Sequence, residues 1–428
     1  MTRVLFVVHQ YPPEKLGGVE LGTQLLARAL ASRGYQTAVF HRRSMSGRGV
    51  CKEVDSFGVQ VFSIWDGEVT PKKRFFSNFG NSFIQKSFRE SLREFKPALV
   101  HIRHLQSLPL ALFEYIREQS IPVVVSLHDY WWVCANAQLL TNYNNMICNG
   151  PNYYLNCARC ALARVGWSRA EIALPILAML FAYRNHRLRE VIKSVDLIIA
   201  PTKFVRDWHL DHGFPANKIV VLPHGVASVT LPNQTKAAIA EKDKVVFLYV
   251  GGITPQKGLH ILIDAFVGVK GKSELWIAGD ETDPSYATHL RQHADSRVLF
   301  LGRLDREQVW QTMMRADAVV VPSLWYEAYS NLISEAFAAG KPVLASQLGA
   351  LAERVRNGVD GLLLPPGDVE AWRAAMQRVV DHPQLLAQLS SSIQKPWSID
   401  AYVEQLELLY KLVLQSKQGQ ATSLPQES

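Results

Sequence analysis

Pro322-Ser-Leu-Trp-Tyr-Glu327-Ala-Tyr-Ser-Asn-Leu-Ile-Ser-Glu335-Ala is the stretch from which the fold of this chain is best read. An apolar strand over residues 318–321 runs into a Pro-Ser turn, a polar loop and a short helix that stops at Gly340. This joint puts one carboxylate in the loop and a second about two turns into the helix. Backbone N–H groups at the helix start face whatever the loop encloses, which suits a phosphorylated ligand carrying hydroxyl groups on both sides. A solvated loop followed by a helix with an exposed Glu accounts for an isolated glutamate pair equally well. A second motif in the same half of the chain decides between the two.

Outward from that joint, short β-rich runs alternate with helical patterns along nearly the whole chain, the signature of parallel sheets wrapped by helices. The first half offers strands at 4–8, 37–40, 59–64, 99–102, 123–127, 197–200 and 219–222. The second offers 245–250, 274–278, 298–301, 318–321, 343–345 and 361–364. Two series, each opening with a strand and a glycine-containing turn, predict an α/β protein of two Rossmann-like domains facing across a cleft. The first domain is placed at 1–222 and completed by a C-terminal helix at about 397–415. The second is placed at 223–396, joined through Leu222-Pro-His224-Gly225 and the polar stretch 228–244, and 416–428 is expected to be a disordered tail. Ligands of open parallel sheets sit at the carboxyl ends of the strands, so the loops just after each strand carry the site.

At 428 residues the chain is long enough for two cores, and no apolar run reaches spanning length. Residues 172–183 are too short and contain Pro175, which leaves a core or interfacial helix. The net charge of +8 is unevenly spread: residues 1–222 hold 27 Lys/Arg against 16 Asp/Glu, the remainder 19 against 22. Within the basic half, Pro71-Lys-Lys-Arg-Phe-Phe and the residues to Arg89 mix cations with aromatics. Interfacial helices at anionic membranes do so, and so does an ordinary amphipathic helix with a basic outer face. No nucleic-acid motif accompanies the charge, and no nucleic-acid partner is expected. Five cysteines and a start that runs straight into a strand argue for a reducing, cytoplasmic setting, including the inner face of a membrane. Four cysteines cluster: Cys134, Cys148, Cys157 and Cys160. They could hold a structural zinc or stand as free, partly buried thiols.

The second motif is Gly251-Gly252-Ile-Thr-Pro-Gln-Lys257-Gly258, between the strand at 245–250 and a helix at 260–266. Glycines allow close backbone approach and the lysine supplies a mobile cation suited to phosphate. Together with the Glu327/Glu335 loop it makes a pair of anion-seeking loops, and a phosphate flanked by polyols is a nucleotide sugar. With Ile277-Ala-Gly279-Asp280, Phe300-Leu-Gly302, the E-x7-E pair and Asn357-Gly-x-x-Gly361…Pro366-Gly-Asp368, the C-terminal half resembles the family-4 retaining glycosyltransferases of GT-B architecture. The N-terminal half matches more loosely, through Gly17-Gly18 before a long helix and His128 after a buried strand.

The resemblance implies that Lys257 contacts the donor diphosphate, Glu327 the hydroxyls of the transferred sugar and Glu335 the ribose. Backbone amides of Tyr329, Ser330, Asn331 and Leu332 would receive the distal phosphate, with Gly17, Gly18, Gly251 and Gly252 close to the donor. His128 would bond the donor sugar. Where many members have Gly-Arg this chain has Gly251-Gly252, so the second cation is missing; Arg303 is a candidate substitute or a surface residue. The implied reaction moves a sugar from a UDP- or GDP-sugar to a hydroxyl of a glycan or lipid-linked acceptor, with retention and without a metal, in surface polysaccharide or glycolipid assembly. The alternatives are a catalytically silent scaffold that binds nucleotide sugar or glycan, and a nucleotide-sugar epimerase of the same architecture.

Overall fold

A computed structural model describes residues 1–167, 171–226, 244–417 and 419. They fall into two compact units, one within Met1–Gly225 and Ile399–Ser428, the other within Val226–Ser398. The linker stretch 228–243 and the last residues of the expected tail lie outside the described residues.

The first unit carries an eight-stranded sheet: β1 (Arg3–Val8), β2 (Gln36–Arg42), β3 (Arg48–Val54), β4 (Gln60–Asp66), β5 (Leu99–Ile102), β6 (Val123–Ser126), β7 (Leu197–Ala200) and β8 (Ile219–Val221). Their order across the sheet is β3-β4-β2-β1-β5-β6-β7-β8. All neighbours are parallel except β3, which pairs antiparallel with β4 at the edge. β1 is central, with Val4 opposite Thr37 on one side and Leu99 on the other. Strands buried on both faces read as unbroken apolar runs, and Val4 to Val8 are fully buried. The β3 strand was not expected. Its side chains are almost all exposed, so no apolar alternation marks it.

Helix Ile399–Lys417 supplies Tyr402, Val403, Leu406, Leu409, Tyr410 and Val413 to the core of this unit, against Phe6, Leu26, Leu30 and Val124. Tyr410 also meets His101 at 2.5 Å, and Arg33 pairs with Glu404 and Glu407 of the same helix. The helix runs to Lys417, so Ser416 and Lys417 are helical rather than tail. The basic aromatic segment forms two helices, Pro71–Phe76 and Ser82–Phe95, each capped by a side chain, Thr70 and Asn81.

The second unit carries six parallel strands: β9 (Val245–Val250), β10 (Ser273–Ala278), β11 (Val298–Gly302), β12 (Ala318–Val321), β13 (Val343–Ser346) and β14 (Gly361–Leu364). Their order is β11-β10-β9-β12-β13-β14. Two apolar layers cover the two faces, one around Phe247, Phe266 and Trp372, the other around Leu248, Ile333 and Leu351. This is the doubly wound order, in which the chain reverses direction across the sheet between β9 and β12.

Candidate active site

The reversal between β9 and β12 leaves a crevice at their carboxyl ends, and the two anion-seeking loops emerge there. After β9, Gly251 sits at φ +154° and its carbonyl lies against Gly279, where a Cβ would come within 1.7 Å of it. The chain then makes a short 3-10 turn over Pro255–Lys257 and enters helix Leu259–Val267 through Gly258 at φ +74°. A Cβ at Gly258 would stand 2.0 Å from the Pro322 carbonyl oxygen, and the Leu324 amide donates to the Gln256 carbonyl at 2.9 Å. The lysine loop and the glutamate loop are therefore in direct backbone contact, and glycine is what permits it.

That contact brings Lys257 and Glu327 together, Nζ to Oε1 at 2.8 Å. The Ser323 hydroxyl donates to the same carboxylate, and Ser330 hydrogen-bonds it as well. Glu327 is buried, which opposes its charge, but Lys257 and the two serines outweigh burial and hold its pKa below the ordinary glutamate value. Lys257 also lies 5.5 Å from the centre of the Trp325 ring. Glu335, on helix Asn331–Ala338, pairs with Arg306 at 3.3 Å. Burial raises its pKa in spite of that partner.

Ser330 precedes the helix in the left-handed region, at φ +60°, and makes no side-chain cap. The amides of Asn331 and Leu332 are thus not taken up by the Ser330 hydroxyl, which is turned to Glu327. Arg354 holds this strained corner: its guanidinium donates to the carbonyls of Tyr329 (2.8 Å) and Ser330 (3.1 Å) and to the Ser334 hydroxyl (2.5 Å). It also covers the Tyr329 ring at 3.6 Å. Gly252 has open space where a side chain would go. Arg303 pairs with Asp280 at 3.6 Å, and more than half of each side chain is exposed.

Gly17, Gly18 and His128 belong to the first unit, at the corresponding reversal between β1 and β5. Gly17 caps helix Gly18–Ser32 without a side-chain bond, and a Cβ there would meet the Glu20 carboxylate. Glu20 pairs with His9 at 3.2 Å and Asp129 with His104 at 2.9 Å, while the His9 and His104 rings are 4.5 Å apart. His128 is kept neutral, well below the usual histidine pKa, by burial and then by the charge of Arg103. Among the described residues its buried Nε2 has no hydrogen-bond partner. Trp131 and Trp132 are core residues. A small cavity beside this region is lined by His9, Gln10, Arg42, Val69, Arg74, Gln106 and Ser107.

All four clustered cysteines are free thiols. Cys157 and Cys160 share helix Leu155–Arg164, and the Cys157 thiol is pushed up to about 12 by burial and by the other three sulfurs. Among the described residues, no three of His, Cys, Asp and Glu are arranged as a set that could hold a metal ion.

Sequence reasoning passed over Arg354, Arg306 and Ser323. Ser323 stands in the diagnostic stretch and reads there as a turn residue. The two arginines come from other helices, and no local spacing ties Arg306 to Glu335 or Arg354 to the Tyr329–Ser330 corner.

Residues 16–228 match the model of glycosyltransferase family 4, and residues 244–382 that of glycosyl transferases group 1. The chain belongs to these glycosyltransferases and has their GT-B fold. A Klebsiella pneumoniae relative, an uncharacterized 42.6 kDa protein in the cps region, is 22% identical over 95% of this chain and 99% of its own. Sucrose-phosphate synthase from Thermosynechococcus elongatus superposes with a TM-score of 0.73 at 19% identity, covering 97% of this chain and all of that one. Anabaena HepE, solved in complex with UDP-glucose, gives 0.65 at 20% identity over 96% of this chain and 100% of its own.

Proposed function

We propose that this glycosyltransferase is a hexosyltransferase that moves a sugar from a nucleoside-diphosphate donor to an acceptor hydroxyl with retention of anomeric configuration. The observation that carries the reading is the Lys257–Glu327 pair, fixed by Ser323 and Ser330 at the doubly wound reversal of the second unit. Breaking the bond from anomeric carbon to phosphate builds negative charge on the leaving group. Lys257 and the amides entering helix Asn331–Ala338 are preorganised to meet it. Glu327 is ionised and can only accept, which suits it to sugar hydroxyls. Glu335, poised with Arg306, suits the ribose. His128 is neutral and can donate one hydrogen bond to the donor sugar.

The UDP-glucose bound by HepE supports a nucleotide-sugar donor. The cps-region relative supports a place in surface polysaccharide or glycolipid assembly, with a glycan or lipid-linked acceptor. Incubating the protein with a panel of UDP- and GDP-sugars tests the reading. Slow donor hydrolysis that disappears in Glu327→Ala is the expected result. Binding without turnover, even with lipid acceptors, would assign the chain to a scaffold role, and failure to bind any such donor would remove the proposal. The anomeric configuration of the product, read by NMR, tests retention.

A structural zinc on the cysteine segment is a separate proposal. Its support is that the Asn142 amide donates to Cys160 Sγ at 3.2 Å, and that burial raises the Cys134 thiol pKa while the amides of Leu139 and Asn136 only partly oppose it, so a bound cation is what would favour the thiolate. Beside them Arg184 is buried and, among the described residues, hydrogen-bonds to neutral groups, the Trp131 carbonyl and the Asn185 side chain. A tetrathiolate zinc would supply the missing negative charge. Metal analysis of the purified protein decides, and a metal-free protein ends the proposal.

A further inference from the structure

Helix Leu174–Ser194 buries one face through Leu174, Ala178, Phe181, Leu188 and Ile192. Its opposite face changes character along its length. Ile172, Ile176, Met179 and Tyr183, spaced 4, 3 and 4 apart, form one stripe and are 94%, 68%, 65% and 49% exposed. No charged residue occurs from Ile172 to Ala182, whereas His186, Arg187, Glu190 and Lys193 follow on the outward side. An ordinary solvated face would carry charge from the first turn. The stripe widens on both sides. Helix Leu155–Arg164 packs alongside through Ala158 and Leu162 and is followed by the exposed Trp167. On the other side Phe75 meets Phe181 and Phe79 stacks on Tyr183, with Phe76 half exposed.

Cations edge this apolar patch. Arg74 directly precedes Phe75, and Arg164 ends the helix that packs alongside; burial and then the charge of Arg164 lower the Arg74 pKa. Neither side chain has a hydrogen bond or ion pair among the described residues. An apolar surface edged by uncompensated arginines is complementary to an anionic lipid interface, where aliphatic side chains enter the acyl boundary and guanidinium groups meet phosphates. A second copy seated on the same patch would bring a second set of these arginines into one interface with no carboxylate among the described patch residues to meet them, which is unfavourable. Among the described residues no helix is long and apolar enough to cross a membrane, so the contact would be peripheral.

We propose that the stripe Ile172–Ile176–Met179–Tyr183, with Trp167, Arg74 and Arg164, docks this protein on the surface of an anionic phospholipid bilayer. The inference deepens the acceptor side of the proposed function, since a lipid-linked acceptor is presented at such a surface. It does not depend on the donor chemistry. The test is cosedimentation of the full chain with vesicles of phosphatidylcholine alone or mixed with phosphatidylglycerol, with no nucleotide sugar present. Binding to the anionic vesicles is expected, weakening with added salt. Ile176→Asp with Met179→Asp should abolish it, and Arg74→Gln with Arg164→Gln should reduce it about thirtyfold, at roughly 1 kcal/mol for each of the two charges near an anionic surface. Thermal unfolding of the variants shows that they remain folded. Absence of binding, binding that ignores these changes, or a dimer that Ile176→Asp dissociates would each overturn the proposal.

Discussion

Both units place acidic side chains at the point where their sheets reverse, but they neutralise them differently. In the second unit Glu327 and Glu335 face Lys257 and Arg306, cations at every physiological pH. In the first unit Glu20 and Asp129 face His9 and His104, whose charge is conditional. The first arrangement is a fixed electrostatic cradle, as a diphosphate requires. The second is a set of groups whose protonation can respond to what binds. Burial reinforces the contrast. In the first unit His9, His101 and His128 are depressed, His41 to about 3 and His209 to about 4, in each case chiefly by desolvation. In the second unit His260 is lowered as well, again chiefly by desolvation.

The harshest way to break the comparison is Lys257→Ala. On the proposed mechanism it removes the cation that meets the leaving group and should lower kcat/KM by about a hundredfold or more, as loss of a preorganised electrostatic group does. It also strands a buried carboxylate, so chemical denaturation should show a loss of about 3 kcal/mol, with Lys257→Ala plus Glu327→Gln recovering part of the stability but not the activity.

Acid sharpens the contrast next. A histidine depressed on folding leaves the native state with fewer protons than the unfolded chain, so stability falls as pH drops below about 6.5. The lowered carboxylates Glu20, Asp129 and Glu327 act later, losing their contribution only as pH falls below the ordinary carboxylate range. Glu335, raised by burial, works in the opposite sense and favours the folded state on acidification. Between those limits the first unit, with five depressed histidines, should loosen more than the second, seen as faster amide exchange in β1, β5 and β6 than in β9 and β12. Equal loosening of both units would contradict this account.

Arg354→Ala comes third. It unfastens the carbonyls of Tyr329 and Ser330 and should cost about 2 kcal/mol, the scale of hydrogen bonds to a charged group. Donor KM should rise while the Lys257–Glu327 contact survives. The smallest effect belongs to Arg303→Ala. Its exposed pair with Asp280 is screened by water and salt, so donor affinity read by calorimetry should change by less than about twofold. A large loss would make Arg303 the substitute for the missing cation of the first glycine loop.

Much of this was legible in the chain. Buried parallel strands announce themselves as apolar runs, and the loops that follow β9 and β12 carry Lys257 and Glu327 in recognisable settings. Their meeting at 2.8 Å is a product of sheet order, which places β9 beside β12 although 67 residues separate Val250 from Ala318 in the sequence. Arg354 was hidden for the same reason: it serves Tyr329 from a helix two elements later. β3 was hidden because an exposed edge strand needs no apolar face. The outward stripe of helix Leu174–Ser194 was visible only as hydrophobicity, and burial alone distinguishes a core face from an exposed one.

Helix Ile399–Lys417 belongs to the core of a unit whose other residues all precede Val226. During synthesis the first unit must therefore wait, with the floor beneath β1 and His101 open, until the second unit and then this helix have left the ribosome. A nascent chain stalled before Tyr410 would present Phe6, Leu26 and Leu30 to chaperones, and a protease that clips this helix would open the core built on residues 1–225.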